Sequence, residues 1–289
     1  MDDKDLRQIG GPLLPASEMD EAVTTFIRSS PADRRWDEFS FDWSQADANR
    51  LTEGERSAVE FVTIIEDHLP GYFALYDQNF PLDDSVEREV FVHNRELYHF
   101  SIRWAQEEDT HARVLSRYQV ASGMTDPATL RESLAVEGQK RFETSYADAV
   151  QFFTYPLVQE KATQLYYQNL RQVVDEPVLA QILTRLSRDE ARHFTFFADV
   201  VQRYLRRHGD AVVEPIRDVI ADFRMPLADT IRGYWRWALR IADSARYDHT
   251  DAYEYLIKVV NRAVDAKSDK VTELIEFVSA CRTISGTPR

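Results

Sequence analysis

A single cysteine, Cys281, leaves no intrachain disulfide and no cysteine-rich zinc site to consider. Glycine and proline are scarce, 9 and 11 in 289 residues, against a usual combined share of about 12%. Between Leu51 and Cys281 turn punctuation is so thin that a sandwich or barrel of many short strands is excluded. No apolar run approaches the ~20 residues that a membrane-spanning helix needs. The opening Met1-Asp2-Asp3-Lys4-Asp5 is acidic and lacks the apolar stretch of a secretory signal, so the expected compartment is the cytoplasm, with no membrane partner. Basic residues are in deficit: 35 Lys and Arg against 49 Asp and Glu give a net charge of −14, which disfavours a nucleic-acid partner. A hydrophobic content of 44% is too high for a disordered chain. What remains is a chain long enough to bury a core without staples, and long helices are its natural form.

Five of the twenty glycines and prolines fall in the first 31 residues. Residues 1–50 therefore read as an irregular segment, and Trp36, Phe39, Phe41 and Trp43 point to its second half packing on the body. Residues 51–289 read as a single all-α domain. Thr52 with Glu55 three residues on is a capping box. It opens a helix with apolar positions at Val59, Val62, Ile65, Leu69, Phe73 and Tyr76, which Pro70 should kink near Glu66. A second helix, from about Asp84-Ser85 to Gly123, would be roughly 55 Å long. Pro127 opens a third, reaching about residue 145. A fourth runs through Tyr155–Val174, and a fifth runs from Asp175-Glu176-Pro177 to Gly209. Pro215, Pro226 and the 244–250 stretch divide the remainder into three or four shorter helices.

Two of the long helices carry the same short pattern. One has Glu107-Glu108-Asp109-Thr110-His111 and the other Asp189-Glu190-Ala191-Arg192-His193. Residues i and i+3 of a helix lie about 60° apart and ~4.5 Å along the axis, so Glu108 and His111, like Glu190 and His193, point the same way. Carboxylate oxygen with imidazole nitrogen suits a first-row transition metal. A single Glu-x-x-His is weak evidence, and the chain has a decoy in Glu96-Leu97-Tyr98-His99. It is preceded by Arg95, lies about 18 Å before Glu108 and is turned by ~120°, so it reads as an ordinary helix face. A two-metal site in a four-helix bundle also needs one inward Glu from each of the other two helices. Glu66 and Glu160 sit at core-facing registers and complete the order Glu, Glu-x-x-His, Glu, Glu-x-x-His. Four clustered carboxylates would repel one another in a desolvated site unless cations held them together. The acids preceding each Glu-x-x-His are candidates to accept the free ring N–H across the pair, Asp189 from His111 and Glu107 from His193. Asp109 reads as exposed.

These segments resemble the soluble acyl-[acyl-carrier-protein] desaturases, a family of ferritin-like di-iron oxidases. The resemblance rests on Ile65-Glu66-Asp67-His68-Leu69-Pro70, Trp104 through His111, Gln159-Glu160-Lys161-Ala162-Thr163 and Asp189 through His193, and it covers about residues 35–280. It implies a ferritin-like helical bundle, with a four-helix di-metal core and additional C-terminal helices. Glu66, Glu108, His111, Glu160, Glu190 and His193 would hold two iron ions, with O2 as co-substrate. It also implies a homodimer, a carrier-bound acyl substrate and a ferredoxin-type electron donor, the chain having no glycine-rich dinucleotide loop. Thr163 matches a threonine beside the oxygen-binding face, although a helical threonine also bonds its own backbone. Asp189 would join His111 to a tryptophan in an electron path, a role for which Trp36 and Trp43 compete and Trp36 is preferred. Carrier docking has candidate basic patches at Arg203, Arg206, Arg207 and His208, and at Lys140 with Arg141. The dense aromatics around the site leave hydroxylation of a specialised metabolite open. Arylamine N-oxygenases of this type carry a further histidine at the seat of Leu186, which argues against that reaction. A non-catalytic iron-binding protein is the remaining reading from another class, and the long extension beyond Gly209 argues against a storage cage.

Overall fold

Capping chemistry sets the ends of the long helices. In the computed structural model, which describes residues 9–31, 35–140, 146–226, 248, 250–264 and 266–285, the Thr52 side chain accepts from the Glu55 N–H while the Glu55 carboxylate accepts from the Thr52 N–H. That reciprocal box starts α2 (Glu53–Asp67). Asp126 accepts from two backbone N–H groups ahead of α5 (Pro127–Gly138), Asp148 caps α6 (Ala149–Val173), and Glu176 caps α7 (Pro177–His208). α4 (Arg88–Ala121) is the longest at 34 residues, about 51 Å. Gly123 and Gly209 follow α4 and α7 with φ of 80° and 54°, the left-handed backbone expected of glycine after a helix.

Three differences from the sequence reading have physical causes. Residues 1–50 are not irregular throughout, because Ala16–Ser29 forms α1. Its start has no side-chain cap, and an isolated 14-residue helix is marginal; the burial of Met19, Ala22, Val23 and Phe26 against α4 and α7 is what sustains it. Pro70 does more than kink a helix. It has no N–H to offer the Glu66 carbonyl, so α2 ends at Asp67, His68 caps it, and α3 (Leu69–Asn79) starts afresh. α6 begins six residues before the expected Tyr155 and keeps Pro156 inside it, where burial of Phe152, Phe153, Leu157 and Val158 offsets the lost hydrogen bond.

The N-terminal segment is tied to α6 at one tight point. Gly10 pairs with Asp148, and Gly11 has φ of 79° with the space for a Cβ only 2.1 Å from an Asp148 carboxylate oxygen, so a larger residue there would be strained and would displace the Asp148 side chain. Towards the C-terminus come α8 (Val213–Ala221), α9 (Asp251–Ala263) and α10 (Asp269–Ser285). Pro215 sits in the first turn of α8 and does not break it. The third helix stops short of the expected residue 145: α5 ends at Gly138, where the Gln139 N–H bonds the Ala135 carbonyl and Lys140 is already outside the helix; residues 141–145, the stretch after Pro226 and most of the 244–250 break lie outside the described residues. The architecture is an all-α, ferritin-like bundle, in which α6 and α7 form the most extensive pair.

Among the described residues two apolar cores fill it. One gathers Phe26, Phe100, Trp104, Phe152, Phe153, Phe196 and Phe197 with residues of α8 to α10. The other gathers Val59, Val62, Val114, Leu115, Tyr166, Tyr167, Leu170 and Leu179–Leu186 residues of α7. Along α4 the first core claims Phe100 and Trp104 and the second claims Val114 and Leu115; Glu108 and His111 fall between them. α7 repeats this with Leu186, then Glu190 and His193, then Phe196. A polar layer is thus sealed between two oily ones.

Candidate metal centre

Glu66 of α2, Glu108 and His111 of α4, Glu160 of α6, and Glu190 and His193 of α7 all reach this layer, and all six are buried. They form two overlapping groups, Glu66–Glu108–His111–Glu190 and Glu108–Glu160–Glu190–His193, in each of which four ligand atoms lie within 4.8 Å of one another. Glu108 and Glu190 belong to both. The six residues singled out by spacing are the six brought together.

The two imidazoles are oriented from behind. His111 Nε2 lies 3.3 Å from Asp189 Oδ2, and His193 Nε2 lies 2.9 Å from Glu107 Oε2. Asp189 remains ionised: burial opposes this, but the His111 hydrogen bond and the charges of His111 and Arg192 hold its pKa at about 2. Glu107 is likewise lowered, with burial outweighed by His193 and Arg192. An ionised carboxylate accepts only, so each Nε2 carries the hydrogen and each Nδ1 faces the carboxylates. Neither Nδ1 makes a hydrogen bond of acceptable geometry, although His193 Nδ1 comes within 2.9 Å of Glu108 Oε1 and His111 Nδ1 within 3.4 Å of Glu190 Oε1. Two buried nitrogens pointed at four buried carboxylates, within ion-pair reach of them but without a well-formed hydrogen bond, are the arrangement that metal cations satisfy.

The protonation pattern agrees. Burial, reinforced by Glu108's charge, pushes Glu66 up to about 7; burial and Glu160 push Glu190 well above the ordinary range. Burial would lower both histidines, but the carboxylates around them raise both well above their usual value. Burial would raise Glu108 too, and there the two histidines prevail and lower it. Without metal, protons supply the positive charge that the layer needs.

Arg192 braces both supports, reaching Asp189 Oδ1 at 2.6 Å and Glu107 Oε1 at 3.0 Å, while Ser30, just after α1, donates to Glu107 at 2.7 Å. Trp36 Nε1 donates to Asp189 Oδ2 at 2.9 Å, and its ring stacks on His111 at 5.9 Å and 18°. Trp43 instead donates to the Glu38 carbonyl at 2.7 Å and packs on Phe41. The contiguous chain is therefore Trp36–Asp189–His111. Thr163, three residues after Glu160, donates to the Gln159 carbonyl at 3.0 Å, the backbone bond open to any helical threonine. Asp109 and His99 are exposed, as read from the sequence. Leu186 is fully buried in apolar surroundings.

Two partners were not legible in the sequence. Tyr167 donates to Glu66 Oε1, and no local pattern ties it to a residue 101 positions away. Arg192 sits within the Asp-Glu-x-Arg-His segment, but its bridge to Glu107 crosses between helices. An aromatic crevice lined by Tyr72, Tyr76, Trp104, Phe152 and Tyr155 reaches Glu160. Of the basic patches, Arg203 is paired with Glu21 and Asp199, and Arg207 with Glu18. Lys140 is paired with Glu137, and Arg141 lies outside the described residues.

The sequence model described as fatty acid desaturase matches residues 33–268. A Mycobacterium tuberculosis protein named as acyl-[acyl-carrier-protein] desaturase DesA2 is 27% identical over 203 residues, covering 70% of this chain and 69% of that one. The chloroplastic palmitoyl-[acyl-carrier-protein] 4-desaturase of Coriandrum sativum is 22% identical over 213 residues, covering 69% and 54%. The X-ray structure of DesA2 superposes with a TM-score of 0.64 at 19% identity, over 90% of this chain and 98% of that one, a likeness of fold. With the family match spanning most of its length and the Glu/His layer buried within that span, the chain belongs to the fatty acid desaturase family, among the acyl-[acyl-carrier-protein] desaturases, and is an oxidoreductase.

Proposed function

We propose that the chain is a di-iron, O2-dependent oxidoreductase that removes two hydrogens from a carrier-protein-bound acyl chain. The observation that carries this reading is the pair of inward-facing Nδ1 atoms gathered with four buried carboxylates into two overlapping groups. Nitrogen and carboxylate donors of this kind suit iron; Glu66, Glu108, His111 and Glu190 would hold one ion, and Glu108, Glu160, Glu190 and His193 the other. When bound, the iron pair supplies O2 activation. The overall reaction balances as one CH2–CH2 unit, O2, two electrons and two protons giving one CH=CH unit and two waters.

The chain's own residues orient and seal. Asp189 and Glu107 fix the imidazole tautomers, and Arg192 fixes Asp189 and Glu107. The two apolar cores exclude water from the layer, which protects a strong oxidant from side reactions. The crevice ending at Glu160 is the route by which the acyl chain reaches the site. Thr163, on the same helix, is a candidate for the oxygen-facing side once its hydroxyl leaves the Gln159 carbonyl.

Electrons enter by Trp36, Asp189 and His111, from a ferredoxin-type donor. Trp36 is half-buried and borders a crevice lined by Arg35 and Arg103 together with Glu107, Asp189 and the Arg192 ion-paired to both acids, and the Arg185 guanidinium lies 5.7 Å over its ring. In a chain of net charge −14, a basic surface at that point suits an anionic redox protein.

The test is mass spectrometry of carrier-bound acyl products after incubation with ferredoxin, its reductase and O2, alongside metal analysis. A loss of two mass units with two irons per chain is expected. A gain of sixteen would make the enzyme a hydroxylase, and iron without any oxidised acyl product would end the acyl reading while leaving the metal centre.

A further inference from the structure

Glu66 and Glu160 enter the layer as counterparts, one carboxylate from each of α2 and α6, but they are held differently. Glu66 Oε2 lies 3.7 Å from His111 Nδ1, and its other oxygen, Oε1, accepts the hydroxyl of Tyr167. Glu160 Oε2 lies 3.5 Å from His193 Nδ1, and the same carboxylate borders the aromatic crevice.

Tyr167 stands seven residues beyond Glu160 on α6. Seven residues are close to two full turns, so both side chains leave the same face of the helix, about 10 Å apart along it. α6 therefore touches both halves of the site, supplying a ligand to one and, two turns on, a donor to the ligand of the other. The phenol is fully buried, in the core that seals this end of the layer. Its neighbour Tyr166 is buried too, but donates to the Ala58 carbonyl at 2.9 Å, away from the carboxylates.

We infer that Tyr167 is a positioning residue for the His111-side metal: by holding Oε1 of Glu66 it leaves Oε2 as the oxygen offered to that ion. This rests on the metal-centre reading above. Outer partners of this kind typically contribute 10- to 100-fold to metal affinity. A tyrosine that merely filled the core would leave affinity and coordination untouched.

Cobalt(II) titration of the purified full chain tests the inference without any turnover, since the visible d–d bands report each ion's surroundings. Wild-type protein should bind two equivalents. In Tyr167→Phe one equivalent should weaken by about 10- to 100-fold and its bands should change. Tyr166→Phe loses a buried hydrogen bond from the adjacent residue and should retain both ions and the wild-type spectrum. Wild-type affinity and spectrum in Tyr167→Phe would overturn the inference, as would equal losses in the two variants. Near-ultraviolet difference spectra supply a second arm. Loading should perturb tyrosine absorption, because the cation draws charge from the carboxylate to which the phenol donates, and the perturbation should persist in Tyr166→Phe. No tyrosine perturbation on loading would overturn the inference. Failure of the wild type to bind two cobalt ions would instead sink the metal centre itself.

Discussion

The two halves of the buried layer have the same parts and different surroundings. Each has an imidazole turned by a carboxylate behind it, a terminal glutamate, and a share in Glu108 and Glu190. The His111 half continues outward through Asp189 to Trp36 at the surface and has its glutamate tied to Tyr167. The His193 half is backed by Glu107, Ser30 and Arg192, and its glutamate meets an aromatic crevice. Near-symmetric sequence motifs have thus been placed in an asymmetric shell. The asymmetry fits the proposed function, in which the Trp36 side would take up electrons and the crevice side would meet the acyl chain.

The largest expected effect erases the comparison altogether. Glu108 and Glu190 serve both groups, so Glu108→Ala should weaken both ions by more than ~100-fold, beyond what an outer partner contributes. Metal analysis of the purified variant should find neither at wild-type occupancy; retention of one full equivalent would show that the halves are separable. Trp36→Phe probes one half alone. It removes the 2.9 Å bond to Asp189 and keeps an aromatic ring, so both metals should remain while reduction by an external protein donor slows about tenfold. Stopped-flow reduction with a small chemical reductant as control checks this. Equal slowing with both reductants would place the fault in the site and not in the path.

The smallest effect concerns pH. Glu66 is raised from 4.5 to about 7 by burial and by the charge of Glu108. Its folded value lies above its unfolded one, so its contribution to the metal-free fold is full below about 4.5 and is lost as pH rises through 7. Metal loading replaces protons. The rise in melting temperature on adding metal should therefore be greater at pH 8 than at pH 6, and loading should release protons. A thermal increment that shrinks across that range would contradict the protonation pattern of the layer.

The six residues of the layer were legible because helical geometry is local. Glu108 with His111, and Glu190 with His193, are one helical turn apart, and a turn has the same geometry wherever it is packed. Glu66 and Glu160 were legible by register and order. α1 was not, because its helix depends on burial of Met19 and Phe26 against helices that begin some 60 residues later or more. Nor was the break at His68 distinguishable from a kink, since both follow from the missing N–H of Pro70.

An all-α chain, four helices bearing carboxylates at matching depth with imidazoles on two of them, and the acids Asp189 and Glu107 beside those imidazoles could be read from the order of residues alone. These follow from periodicity, capping and the fixed angle between neighbours on a helix. Only the tertiary structure decided that Trp36 and not Trp43 meets Asp189, that Tyr167 grips Glu66, that Arg203 and Arg207 are occupied by α1, and that the crevice reaches Glu160. Each of these joins side chains distant in sequence, and such contacts are set by how helices cross and pack, which no local spacing encodes.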